Sequence, residues 1–192
     1  AGGRGTRISS VARDIPKPMI KIEGKPVLEH ELECLRDQGF TDIILTVSHL
    51  GNIIMDYFGD GSGVSPATGK PFGVHIEYYF EKEPLGNAGA LFKIKDKLTE
   101  DFLLLNADAM FDVDFKRFVD FHKQHNALVT LFTHPNSHPY DSGLIISNEY
   151  NQVEKWLAKE DERPMYYKNR VNAGLHVISP EVLNQVIDTQ KI

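Results

Sequence analysis

The 192-residue chain has one cysteine, Cys34. A single thiol permits neither an intramolecular disulfide nor a cysteine-based zinc site, and it fits a reducing compartment. Apolar runs stop well short of the roughly 18 residues that a membrane-spanning helix needs. Positive charge is in deficit, with 21 Lys and Arg against 27 Asp and Glu for a net charge of −6. Without a basic cluster, non-specific binding to nucleic acid or to an anionic membrane is not expected. There is no internal repeat, no low-complexity linker and no recognisable leader peptide, so a cytoplasmic location is expected.

What is present describes a folded domain. Charged residues make up 25% of the chain, which is ordinary for a globular protein and argues against disorder. A domain of this size buries roughly 70% of its unfolded surface and needs no staple. The spacing predicts helices over 25–38, 50–58, 88–98 and 115–125, with a further helix opening at Ser179-Pro180-Glu181. Continuous apolar runs predict buried strands at 43–47 and 102–105. Further strands are expected at 74–80, 127–133 and 171–178, with an antiparallel hairpin from 144–147 and 153–156. The Gly- and Pro-rich stretch 59–73 reads as a loop holding a turn or short hairpin. Buried strands alternating with helices predict an α/β fold with a mostly parallel mixed sheet.

In such sheets ligands sit beyond the carboxyl ends of strands. Three loops rich in Gly, Asn or Asp fall at such points: 1–7, 84–89 and 106–112. In the first, Gly2, Gly3 and Gly5 let backbone N–H groups approach an anion, flanked by Arg4 and Arg7. Pro16-Lys17-Pro18 adds a cation on a stiff, mostly extended segment. Backbone donors plus fixed positive charge suit a triphosphate, although a flexible tail has the same composition. The pattern is neither a Walker A loop nor the dinucleotide fingerprint. In the third loop, a buried strand delivers Asp108 to its carboxyl end, where one carboxylate can hold Mg²⁺ alongside substrate phosphates. Asp112 and Asp114 either join it or cap the helix that follows; capping is favoured.

These residues resemble the sugar-1-phosphate nucleotidylyltransferases, whose signature runs GGxGTR, PKPM and then a Lys/Arg-Pro pair. Here the matching segments are AGGRGTR, PKPM and GKP. Leu85-Gly86-Asn87-Ala88-Gly89 is similar to the family's LGTAG segment. Leu104-Leu105-Asn106-Ala107-Asp108 is similar to its strand ending in Asn-Gly-Asp. Val171-Asn172-Ala173-Gly174 is similar to its NAG strand before a Ser-Pro-Glu helix. Each motif alone is weak, but the ordered set spans residues 1 to about 187.

The resemblance implies a Rossmann-like three-layer fold and the joining of an NTP to a sugar 1-phosphate, with pyrophosphate released. Gly2, Gly3 and Gly5 would cradle the triphosphate, Arg7 would stabilise the leaving pyrophosphate, and Lys17 would neutralise the α-phosphate. Asp108 would hold Mg²⁺, the implied cofactor. The sugar phosphate is itself an ionised nucleophile, so no general base is required, and His30, His49, His122 and His176 are expected to be ordinary surface or packed residues. Gly86 and Asn87 would lie at the nucleotide, with Glu81 reading the base. A carboxylate only accepts hydrogen bonds. Guanine offers adjacent N1–H and N2–H donors, so GTP is favoured, although Glu81 and Glu83 also fit as solvated strand-end charges.

Asn172 and Gly174 would contact the sugar, and Lys159, with Lys168 as competitor, would reach its phosphate in place of the Lys of a Glu-Lys-Pro segment. The stretch 133–142 is similar to that of enzymes making activated heptoses. This points to a heptose or mannose-like sugar, with Asp141 and Ser142 in its pocket or else in a polar surface hairpin. Three departures stand out: Asn87 for Thr, Ala107 for Gly, and no Glu or Pro around Lys159.

The expected partners are an NTP and a sugar 1-phosphate; a homo-oligomer and further domains in the full-length protein are compatible with the sequence. Residues 1–192 are expected to form a nucleotidyltransferase domain incomplete at both ends, without its first strand and without a late second metal-binding Asp. The rivals are a uridylyl- or cytidylyltransferase, a nucleotide-sugar glycosyltransferase, and a non-catalytic module of the same fold. A glycosyltransferase would not need AGGRGTR with PKP. A non-catalytic module tends to lose Arg7, Lys17 or Asp108, all of which are present.

Overall fold

The structure, a computed structural model, describes residues 14–83, 85, 89–137 and 143–185. It opens with a 3-10 turn at Lys17–Met19 and a small antiparallel hairpin, β1 (Lys21–Ile22) and β2 (Lys25–Pro26). Left-handed Glu23 and Gly24 form its bend. The Pro16-Lys17-Pro18 segment was expected to be mostly extended. Pro16 is extended, but Lys17 turns, because Pro18 sits in the first turn, where a missing N–H costs nothing. Helix α1 (Val27–Asp37) follows at once.

Next come β3 (Asp42–Val47), α2 (Gly51–Phe58) and β4 (His75–Phe80). Strands β3 and β4 run parallel in the register Asp42↔His75 to Val47↔Phe80. The 59–73 loop carries the expected turn as a single bridge between Val64 and Pro71. The predicted 88–98 helix is shorter than expected: α3 spans Gly89–Lys93, Ile94 leaves the α conformation, and a 3-10 turn follows at Lys95–Lys97. Then come β5 (Phe102–Leu105), α4 (Phe115–Gln124), β6 (Val129–His134), β7 (Leu144–Ser147), β8 (Val153–Leu157), β9 (Val171–Ile178) and α5 (Glu181–Gln185).

The mixed α/β fold stands, with a different balance of strand directions. Among the described residues only β3 and β4 pair in parallel. Strand β9 pairs antiparallel with β5, β6 and β7, and β7 pairs antiparallel with β8. Strand β9 is eight residues long, and β6 runs along one of its edges while β5, at Leu175–Ile178, and β7, at Val171, share the other.

Helix α1 lies between two cores. Its Leu28 and Leu32 join Val47, Ile54, Phe58, Phe72 and Ile76, where Tyr57, Phe58 and Phe72 meet at ring centroids 4.8–6.0 Å apart. Its Leu35 joins Phe115, Phe118, Leu175 and Val177. A helix covered on two sides also buries polar positions, and Glu29 and Glu31 are only 1% and 4% exposed. The Tyr57 hydroxyl donates to Glu29 Oε2 at 2.7 Å.

At the far end of α1, the Gln38 side chain donates to Val113 O at 2.9 Å and accepts from Phe115 N–H at 2.7 Å. This fixes the start of α4 against α1. Asp114 caps α4 by accepting from Arg117 N–H at 2.9 Å, as expected. No helix among the described residues is long and apolar enough to cross a membrane.

Candidate active site

The site is built where β5 ends beside the start of β9. The antiparallel register Leu105↔Leu175 continues as a bond from Asn106 N–H to Gly174 O at 3.1 Å. A turn closed by Ala109 N–H on Asn106 O, 3.2 Å, then carries Asp108 out of the sheet. Ala107 is buried and packs into the first core, so the methyl group that departs from the family's Gly is accommodated by α1 and β3. From the other side of the chain, the 3-10 turn brings Lys17 Nζ to 3.8 Å from Asp108 Oδ2, with side chains 30% and 45% exposed. Two residues 91 positions apart, picked out separately in the sequence, therefore meet. Both keep solvent access, so a phosphate and its cation could approach.

Asn172 and Gly174 stand on the adjoining strand. Gly174 N–H donates to Asn172 Oδ1 at 3.0 Å. Gly174 has φ +76°, a region costly for any residue with a Cβ. Helix α1 adds a residue that the motif reading missed. Glu31 is buried, and among the described residues neither carboxylate oxygen has a hydrogen-bond partner. Burial pushes its carboxyl up to about 8, and the charge of Asp108 adds to the effect. Amphipathic periodicity gives no hint of this, because an acidic residue on a helix reads as solvent-facing.

The other expected residues are placed more loosely. Glu81 follows the end of β4, its N–H bonded to Val47 O at 2.7 Å and its Oε2 accepting from Leu85 N–H at 3.5 Å. Among the described residues no hydrogen bond or ion pair joins it to Asp108. Lys159 sits beyond β8, well exposed, and pairs with Glu160 at 3.4 Å. Among the described residues no hydrogen bond or ion pair joins it to Asp108 or Asn172. Lys168 lines a cavity of about 450 Å³ with Ile145, Tyr166 and Tyr167, away from the Asp108 loop. The pattern sought at Lys159 occurs instead at Glu162-Arg163-Pro164, where the Arg163 guanidinium lies 5.9 Å from the centroid of the Tyr167 ring. Reading Arg as equivalent to Lys would have found it. Gly2, Gly3, Gly5, Arg7, Gly86, Asn87, Asp141 and Ser142 lie outside the described residues.

Of the histidines, His122 is packed, 2% exposed, with Nδ1 2.8 Å from Thr130 Oγ1. His30 Nε2 lies 2.9 Å from Ile22 O. Among the described residues no group of three or more His, Cys, Asp or Glu side chains is arranged to hold a metal. A lone exposed carboxylate still fits Mg²⁺, which keeps several waters and binds through one or two carboxylates plus phosphates.

Residues 1–191 match the Nucleotidyl transferase family. The chain belongs to that family. Among its relatives is the mannose-1-phosphate guanyltransferase of Saccharomyces cerevisiae, 32% identical over 190 residues, which cover 96% of this chain and 50% of the relative. The chain thus spans about half the length of the curated relatives it matches. HddC from Yersinia pseudotuberculosis, solved with GMP-PN, superposes with a TM-score of 0.75 at 27% identity, covering 100% of this nucleotidyl transferase chain and 79% of HddC. A UDP-glucose pyrophosphorylase solved with UDP-glucose superposes with a TM-score of 0.77 at 17% identity, covering 96% of this chain and 75% of its own. That likeness bears on the fold alone, and it agrees with the Rossmann-like expectation.

Proposed function

We propose that this nucleotidyl transferase moves a guanylyl group from GTP to a mannose-like or heptose 1-phosphate, giving a GDP-sugar and pyrophosphate. The observation that carries this reading is the meeting of Lys17 and Asp108, 3.8 Å apart, at the end of β5 beside Asn172 and Gly174. A cation and a carboxylate there face the two needs of phosphoryl-type transfer, charge neutralisation and positioning. A sugar-phosphate oxygen attacks the α-phosphorus in line, forming one P–O bond as the bond to pyrophosphate breaks.

In this account Lys17 draws charge off the α-phosphate, and Arg7 and the Gly2, Gly3 and Gly5 backbone hold the leaving pyrophosphate. Asn172 and Gly174 orient the sugar. Arg163 takes the sugar-phosphate role first given to Lys159. Asp108 would hold Mg²⁺, which when bound neutralises phosphate charge. The guanine preference is supported by two relatives, one named a mannose-1-phosphate guanyltransferase and one solved with GMP-PN. Glu81, at the end of β4, is the acceptor proposed for the guanine N1–H and N2–H.

The test replaces the two charges separately. Asp108→Asn and Lys17→Ala are each expected to lower kcat at least 100-fold, as lost electrostatic stabilisation does. Both side chains are partly exposed, so melting temperature should barely move. Unchanged turnover in either variant would refute the assignment of that residue.

A further inference from the structure

The chemistry above gives Asn106 no task, yet the fold engages every part of it. Its N–H bonds Gly174 O and its carbonyl closes the turn that carries Asp108. Its side chain lies directly over Gly174: a Cβ at that glycine would overlap Nδ2 and stand 2.9 Å from Cγ. Gly174 is itself at a kink, with φ +76°. The β6–β9 register shifts at the same level, from Leu131↔His176 to Thr133↔Asn172. Bulges of this kind re-aim side chains near active sites. Here Asn172 gives its Oδ1 to Gly174 N–H, which leaves its NH₂ group as the donor for a ligand oxygen.

We propose that Asn106 is a positioning residue for the sugar phosphate: its carboxamide presses on Gly174 and holds the Asn172–Gly174 kink so that Asn172 presents its NH₂ to the ligand. The proposal rests on the nucleotidyl-transfer reading. It separates two jobs within one loop. The backbone of Asn106 sets where Asp108 stands, and its side chain sets where Asn172 points. Removing the side chain should therefore disturb sugar-phosphate binding and spare the nucleotide.

The test is a double-mutant cycle in the full-length protein, with calorimetric Kd values for mannose 1-phosphate and for Mg²⁺·GTP. Asn106→Ala should weaken mannose 1-phosphate about tenfold and leave GTP within about twofold. Gly174→Ala should weaken mannose 1-phosphate about 100-fold while Asn106 is present. In the Asn106→Ala background it should cost no more than about tenfold, the residue of a left-handed Ala, because the overlap is gone. Equal weakening of both ligands, no weakening by Asn106→Ala, or the same Gly174→Ala factor in both backgrounds would overturn the proposal.

If the unsubstituted protein binds no sugar 1-phosphate and releases no pyrophosphate, the functional reading fails by itself. Melting temperatures still decide the contact: Gly174→Ala should lower Tm less in the Asn106→Ala background, and an equal drop in both refutes it.

Discussion

Glu31 makes the stability of the protein depend on pH in a direction opposite to that of a paired carboxylate. Its side chain is 4% exposed, neither oxygen has a hydrogen-bond partner among the described residues, and burial lifts its carboxyl from 4.5 to about 8. The folded state therefore keeps it neutral up to about pH 8, whereas the unfolded chain ionises it from about pH 4.5. The stability present below pH 4.5 is lost as pH rises through that window, at about 1.4 kcal/mol per pH unit. Across the window this reaches roughly 5 kcal/mol, and water drawn toward the ionised carboxylate trims it to a few.

Glu31→Gln has nearly the same shape as the neutral acid and does not ionise. In urea unfolding at pH 5 it should match the unsubstituted protein within about 1 kcal/mol, since both side chains are then uncharged. At pH 8.5 it should be more stable by about 2–4 kcal/mol, a midpoint shift of roughly 1 M or more. An offset equal at both pH values, or a variant less stable at pH 8.5, would refute the reasoning.

Two other substitutions probe separate links. His122→Ala removes a fully packed ring and leaves the Thr130 hydroxyl without its 2.8 Å partner. A loss of about 2–4 kcal/mol is expected in denaturant unfolding, and a loss below about 1 kcal/mol would show that α4 is not anchored there. Glu81→Gln keeps the shape of the side chain but replaces one acceptor oxygen with an NH₂. If Glu81 reads guanine, the ratio of GTP to UTP kcat/KM should fall at least tenfold; an unchanged ratio would move base reading to another residue.

Much of the architecture is written in local patterns. The continuous apolar run at 43–47 became β3, and 102–105 became β5, although β5 is half-buried throughout and β3 buries only Leu45 and Val47 fully, rather than both being buried on both faces. Asp114 capped α4 as its position before Phe115 implied. What local pattern does not carry is long-range pairing. Strand β9 takes three antiparallel partners, and nothing in the residues of β5, β6 or β7 alone announces that direction. The break of α3 at Ile94 is likewise not marked in the apolar spacing of 88–98.

The site divides in the same way. Lys17, Asp108, Asn172 and Gly174 each stand out in a motif, and the fold brings Lys17 to Asp108 and Gly174 N–H to Asn172 Oδ1. Glu31 was invisible, since its burial arises from α1 being covered on two sides. Lys159 pairs with Glu160 beyond β8, while Arg163 stands in a Glu-Arg-Pro pattern beside Tyr167, which makes Arg163 the cation proposed for the sugar phosphate.

The central claim is guanylyl transfer to a sugar 1-phosphate at the Lys17–Asp108 site. Its most direct test is pyrophosphate release by the full-length protein, with Mg²⁺, from GTP, ATP, UTP and CTP in turn, each offered mannose 1-phosphate or a heptose 1-phosphate. The account predicts release that requires a sugar 1-phosphate and is fastest with GTP, with GDP-sugar formed in equal amount. Faster release with UTP or CTP would contradict the base assignment, and no release from any combination would contradict the function.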